Sequence, residues 1–550
     1  MSLSHIKRWI LLGHRWLGIG TCLLFFLWFL SGMVMMYVGH PKLTWQERLE
    51  HLPPLEASQP LLSPADAFRQ AGIHGTVTDL RLANARAGRP VYIAQVRPDA
   101  RPAPDAPRPA PRLVTLDAHT GALLPPTDPA TALASAQAYL EQSEPSHPSS
   151  SSAPPASSPR QPSGTAQDAP GKPLYQGITA EDAHTHSKAM DLHRPLHKVL
   201  LPDADQTLLY ISGTTGEVVR DAPQLERGFN YLGAWLHWLY LFRDTAIDWT
   251  ELIVWLSIIG IVSVISGFLS GIIRWRFSRP YRSGSRSPFA PGALRWHHIL
   301  GLVFALTTFT WIFSGLMSMN PWDIFEADES IIDARRISNP DIQPSRAIAT
   351  PQALLASTTT PVRELQWHTL LDKARVKAIR THEVPPGSTD QPVLLSARSG
   401  KPYTLEPERL RSALFTLQAG HPPRIDILRQ DDFYYYSRAE HTMGGGRKPH
   451  PLPIWRVRYD DPNQTWLHID PTTGQVLNEM DSYQRAERWL FALLHSWDWL
   501  PLLQNRPLWD IVMLVLAAGG LALSATGIWI AGHRLHIKTR RWRLMRRKHQ

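Results

Sequence analysis

Cysteine is nearly absent from this chain: Cys22 is the only one, and it lies inside an apolar run. A single thiol excludes a disulfide framework, a thiolate metal centre and any C-x-x-C-H attachment of haem, so a haem would have to be held by side-chain ligands alone. Missing too are a phosphate-binding P-loop, a glycine-rich dinucleotide fingerprint after a strand, and a Ser or Cys nucleophile motif. Acidic residues are scarce in a telling way. Segments 1–15, 274–295 and 534–550 hold three, six and eight Lys or Arg respectively and no Asp or Glu, which leaves the rest of a +10 chain net acidic.

Long apolar runs are present. Residues 16–38, 252–273, 299–319 and 511–530 are each long enough to cross a hydrocarbon core of about 30 Å. The mean hydropathy of −0.21 requires large water-exposed parts besides. The first run is too long for a cleaved signal peptide and reads as a retained anchor. The three acid-free basic segments flank these runs, so they predict both termini on the cytoplasmic side, with 39–251 and 320–510 outside. Basic charge at helix ends points to anionic lipid and away from nucleic acid.

The apolar segments recur. An offset of 283 carries His14, Leu17, Gly18, Trp28, Ser31, Gly32 and Met36 onto His297, Leu300, Gly301, Trp311, Ser314, Gly315 and Met319. An offset of 258 carries Thr214, Gly216, Leu236 and His237 onto Thr472, Gly474, Leu494 and His495; an offset of 260 carries Gly260 and Gly267 onto Gly520 and Gly527. Both copies start on the same side, which predicts parallel repeats about an axis along the membrane normal. Equivalent residues then share a depth and can face one another. His14 would meet His297 near the inner surface, and His237 would meet His495 near the outer one. Opposed imidazoles are the arrangement that axial ligation of haem iron requires. His298 and His533 compete for the inner position and His40 for the outer one. Trp28 and Trp311 read chiefly as packing residues.

Outside the spans the sequence reads as short helices and strand–turn–strand units such as LVTLDAHTGALLP, QTLLYISGTTGEVVRD and QTWLHIDPTTGQVLNEMD. Residues 146–172 are rich in Ser, Pro and Ala, the composition of a disordered insertion. Segments 228–242 and 489–500 are apolar and aromatic and read as interfacial helices, the first running into Arg243, Asp244 and Asp248. His184, His186, His193 and His197 lie close in sequence, although no carboxylate or cysteine spacing completes a ligand set. The stretch FYYYSRAEHTMGGGRKPHPLP puts Tyr434, Tyr435, Tyr436, Arg438, His441, Arg447 and Lys448 around three glycines, a candidate substrate loop.

HRWLG with FLSGM, WHHILG with FSGLM, the TTGEV and TTGQV units, and the LHW and LHS histidines together resemble the PepSY-associated transmembrane family. The resemblance covers nearly everything but the Ser/Pro-rich insertion. It implies a four-span α-helical membrane bundle in two parallel repeats with two α+β PepSY-like periplasmic domains. The expected plan is a first helix at 1–38, a periplasmic domain at 39–227, an interfacial helix and span at 228–274, and a cytoplasmic loop at 275–296. A third span at 297–319, a second domain at 320–484, an interfacial helix and span at 485–532 and a basic tail at 533–550 complete it. Members similar to this include ferric-siderophore reductases with two non-covalent b-type haems. The resemblance therefore implies an oxidoreductase that passes electrons outward to a ferric siderophore for iron uptake. Some relatives carry fused flavin reductase modules; none is present in this sequence, so quinol or a separate cytoplasmic reductase is the expected donor. Two other classes stay open: a non-redox PepSY protein that binds or regulates a periplasmic partner, and a metal or siderophore transporter.

Overall fold

A computed structural model of the chain describes residues 3–96, 111–143, 171–243, 245–325, 330–380, 393–418, 422–436, 438 and 450–548. Most of the Ser/Pro-rich insertion, together with His441, Arg447 and Lys448, lies outside the described residues.

Four helices among the described residues are long and apolar enough to cross a membrane: Leu3–Met35, Trp249–Arg274, Ala293–Ser318 and Leu508–Lys548. Two of them run past the apolar stretches. The first begins eleven residues before His14, and the fourth continues through the basic segment that sequence reading treats as a tail. Lys and Arg are good helix formers, so nothing in that segment stops the helix. The helices form a closed bundle in which the first and third each pack against the second and fourth. Thus the first and third spans stand diagonally opposed.

Small residues set how closely the helices approach. A β-carbon on Gly260 would lie 3.1 Å from Phe25, and glycines 519 and 520 are packed against the rings of Phe304 and Phe29. Phe29 in turn meets Trp311 with ring centres 5.6 Å apart, so aromatic side chains fill the middle of the bundle.

Outside the four spans the described residues form short helices and three antiparallel sheets. One holds β4 (Leu174–Thr179), β5 (Leu196–Leu200), β6 (Leu208–Ser212) and β7 (Val218–Ala222) in sequence order. A second holds β12 (Arg424–Leu428), β13 (Ile454–Arg458), β14 (Trp466–Ile469) and β15 (Val476–Met480), likewise in order. The third joins both halves of the chain. It runs β11 (Val393–Ser396), β10 (Lys373–Ile379), β9 (Glu364–Leu370), β1 (Val77–Arg86), β2 (Arg89–Val96), β3 (Arg112–Asp117), with the short β8 (Ser338–Asn339) on β9. From the central β1–β9 pair outward each side is a three-strand meander, so the two external regions share one sheet and one core containing Leu82, Tyr92, Trp367 and Val376.

A buried charge network fastens this seam. Glu364 of β9, with a fully buried side chain, accepts from both terminal nitrogens of Arg48 at 2.7 and 3.0 Å and lies 3.6 Å from Arg81 of β1. Arg81 also donates to Glu217, in the turn before β7, at 2.6 Å. The two cations hold Glu364 low and Glu217 at about 2 against the opposing push of burial.

Candidate functional site

The bundle brings the duplicated histidines together in two pairs. At the basic end, His14 of the first span and His297 of the third have ring centres 6.3 Å apart. Each directs Nδ1 to the neighbouring helix: His14 to the Ser263 carbonyl at 3.3 Å, His297 to the Leu523 carbonyl at 3.3 Å and to Thr526 Oγ1 at 3.1 Å. Ser263 and Leu523 are themselves related by the offset of 260, so the two contacts are one contact made twice. A carbonyl only accepts, so each Nδ1 carries the proton and each Nε2 keeps its lone pair. No partner for either Nε2 occurs among the described residues.

Glycines make this possible. A β-carbon on Gly267 would stand 2.7 Å from His14 Cε1, and one on Gly527 would stand 3.5 Å from His297 Cε1. Beside the pair lies a cavity of about 220 Å³, lined by both histidines, by Gly18 and Gly301, and on its basic side by Arg15, Arg274 and Arg534.

At the sheet-bearing end, His237 and His495 have ring centres 6.2 Å apart. Ser31 Oγ lies 3.0 Å from His237 Nδ1 and donates its own proton to the Leu27 carbonyl at 2.7 Å; it must then accept from the imidazole. Ser314 repeats this with His495 Nδ1 at 3.0 Å and the Trp311 carbonyl at 3.0 Å. Here too Nδ1 is spent, and no partner for Nε2 occurs among the described residues. Burial holds His237 and His495 far below the ordinary imidazole range, at about 3 and about 4, which keeps both neutral and able to ligate.

The local backbone that aims these rings departs from a regular interfacial helix. Each histidine follows a wide π turn, Tyr231–Trp235 or Arg488–Leu493, and is followed two residues on by a left-handed residue, Leu239 (φ 53°) or Trp497 (φ 52°). A left-handed bulky residue is strained, and it persists where the surroundings hold it. Trp249 Nε1 donates to the Trp238 carbonyl at 2.6 Å and Trp509 Nε1 to the Ser496 carbonyl at 3.0 Å, pinning both bends from the following span. Trp28 Nε1 donates to the His237 carbonyl at 3.0 Å.

Two of the competing histidines are spent elsewhere. His298 donates from Nε2 to the Gly271 carbonyl at 2.9 Å and accepts at Nδ1 from Ser287 at 2.8 Å, between the rings of Trp275 and Phe289. It is a clamp on the loop between the second and third spans. His40 is held by Asn230 at 2.9 Å and by Arg220 at 2.8 Å, and His533 is exposed. The external histidines do not converge: His197 bonds Tyr175 and the Thr127 carbonyl, His193 bonds Ser212, His186 pairs with Glu181, and His184 accepts from Asn230. Among the described residues no group of three His, Cys, Asp or Glu could hold a metal ion.

The Tyr-rich segment docks on the helix of His495. Trp489 Nε1 donates to Tyr434 Oη at 2.9 Å, Arg488 donates to the Phe433 carbonyl, and Arg438 pairs with Asp498, three residues past His495. Tyr435 is buried, with its hydroxyl on the Pro451 carbonyl at 3.1 Å.

Reading the sequence alone misses Ser31, Ser314, Ser263 and Leu523 as orienting groups and Arg274 and Arg534 as rim residues. Ser31 and Ser314 were findable because they share the offset of 283 with His14 and His297, and Arg274 and Arg534 because they share the offset of 260 with Gly267 and Gly527. No family model matches the chain, and no curated protein matches it.

Proposed function

We propose that this chain is a dihaem membrane reductase of the PepSY-associated transmembrane type, with one b-type haem between His14 and His297 and a second between His237 and His495. The observation that carries the reading is the state of the four imidazoles: each commits Nδ1 to an orienting acceptor and has no partner for Nε2 among the described residues, as imidazoles that ligate a metal do. The spacing fits as well. Imidazole–metal bonds of about 2.0 Å with about 1.1 Å from nitrogen to ring centre, doubled, span roughly 6 Å, against ring separations of 6.3 and 6.2 Å. The matched histidines, serines, glycines and left-handed residues, and the meander on each side of the β1–β9 pair, support two parallel repeats.

When bound, haem supplies one-electron transfer between the two ends of the bundle. The chain does the rest. The serines and backbone carbonyls hold each ring in the ligating tautomer, glycines admit a flat group beside it, and Phe25, Phe29, Trp311 and Phe304 keep water from the middle of the bundle. The basic end faces the cytoplasm and an electron donor, quinol or a separate reductase. The sheets lie in the periplasm, where Tyr434 and Arg438 adjoin the helix of His495 and would meet the ferric siderophore. There Fe(III) takes up one electron, and the weaker Fe(II) complex releases its metal.

Absorption spectra of the purified chain before and after dithionite test this. Two low-spin haems per chain are expected, one of them lost in His237→Ala or His495→Ala. A colourless protein would support a non-redox PepSY protein instead, and iron transport by sealed vesicles without reduction would support a transporter.

A further inference from the structure

Arg274 and Arg534 have no part in holding the histidines, yet the same offset of 260 that relates Gly267 to Gly527 relates them. On the second span Gly267, Gly271 and Arg274 follow at i, i+4 and i+7, so they share one face; on the fourth span Gly527, Ala531 and Arg534 do the same. All six line the cavity beside His14 and His297. The two arginines thus stand at its rim in matched places, one on each side of the histidine pair.

Neither has a carboxylate partner among the described residues, and the segments around them contain no acid. Arg274 lies over the Phe289 ring at 5.4 Å, and Arg534 faces like charge from Arg15 and Arg274. A basic residue at a helix C-terminus can serve the helix dipole, and Arg274 ends its helix. Arg534 does not, because its helix runs on to Lys548. What the two share is the cavity. Arg15 lines the cavity too, but the offset of 283 carries it onto His298, so Arg274 and Arg534 are the matched pair; guanidinium groups at an apolar cavity call for anions, and two matched ones call for two.

We propose that Arg274 and Arg534 each bind one of the two carboxylates on the edge of the inner haem, fixing its rotation about the His14–His297 line and raising its reduction potential. This rests on the dihaem reading. A fixed positive charge near each carboxylate stabilises the more negative, reduced state of the site, so removing it lowers the potential.

The test uses the full chain purified in detergent, as wild type, Arg274→Gln, Arg534→Gln, both together, the two Lys variants, and Arg276→Gln as a control for lost charge away from the cavity. Two measurements are made: haem transfer to apomyoglobin, and redox titration with the inner centre identified by its absence in His14→Ala. Each Gln change should speed loss of the inner haem about tenfold, the equivalent of one charge-assisted hydrogen bond, and shift that centre's midpoint negative while leaving the outer one alone. Lys should restore the midpoint but only part of the retention, since it lacks the two-pronged donor. Loss rates and midpoints equal to those of Arg276→Gln overturn the proposal. So does a fall in co-purified anionic phospholipid with the haem unchanged, which would make a lipid headgroup the occupant. A wild-type chain without haem sinks the dihaem reading as well, and the first spectrum tells the two failures apart.

Discussion

Ser31 Oγ sits 3.0 Å from His237 Nδ1 while giving its proton to the Leu27 carbonyl, so a hydroxyl on the first span dictates the tautomer of an imidazole 206 residues away. Ser31→Ala removes that acceptor and lets the ring turn. We expect the outer haem to be bound 10–100-fold more weakly, the usual cost of losing such a support, with the inner spectrum intact; haem content across a detergent-wash series measures it. Ser314→Ala should act alike on His495.

Crowding at the inner pair is unequal, and so should be the response to a methyl group. Gly267→Ala would bring Cβ to 2.7 Å from His14 Cε1, whereas Gly527→Ala meets Cys22 at 3.2 Å and His297 at 3.5 Å. The first change should displace His14 and remove the inner haem band; the second should weaken it modestly. Equal effects in reduced-minus-oxidised spectra would contradict this geometry.

Arg81 neutralises Glu217 and helps neutralise Glu364 at the seam between the two halves. Arg81→Met leaves buried carboxylates short of a cation, at a cost of about 3–5 kcal/mol. Adding Glu217→Gln should recover part of this. Thermal unfolding of the external sheets by circular dichroism reads both, and a lowered midpoint in the single variant that the double variant does not recover would count against the network.

Acid should loosen the external region well before ordinary carboxylates titrate. Burial lowers His40, His184 and His468 to about 4 and His368 to about 3, from an ordinary 6.5. The unfolded chain therefore binds these protons first, so the stability they contribute is complete above pH 6.5 and is lost as pH falls toward 4. Glu217 adds a second loss between 4.5 and about 2. The apparent Tm should drop between pH 7.5 and pH 5, and a flat profile over that range would refute the assignment.

Much of the site was legible because its signals are local and repeated. Apolar length marks four spans, and identical residues at a constant offset single out His14, His297, His237 and His495. Which histidine faces its counterpart was less so. Nothing in WHHILG tells His297 from its neighbour, because successive residues on a helix point about 100° apart and only the packed bundle says which direction holds Gly271 and Ser287. The bends before and after His237 and His495 were hidden too, since a π turn and a left-handed Leu or Trp follow from contacts with Trp249 and Trp509, not from their own propensities.

By itself, then, the sequence determined the number of apolar helices, the acid-free basic segments, the strand-rich external parts and the duplicated histidines, all of which depend on composition and period. Only the tertiary structure decided which helices stand diagonally, that both external regions close into one sheet through β1 and β9, and that each paired imidazole spends Nδ1 and spares Nε2. Those features are made by hydrogen bonds and contacts between residues hundreds of positions apart, and distance along the chain carries no mark of them.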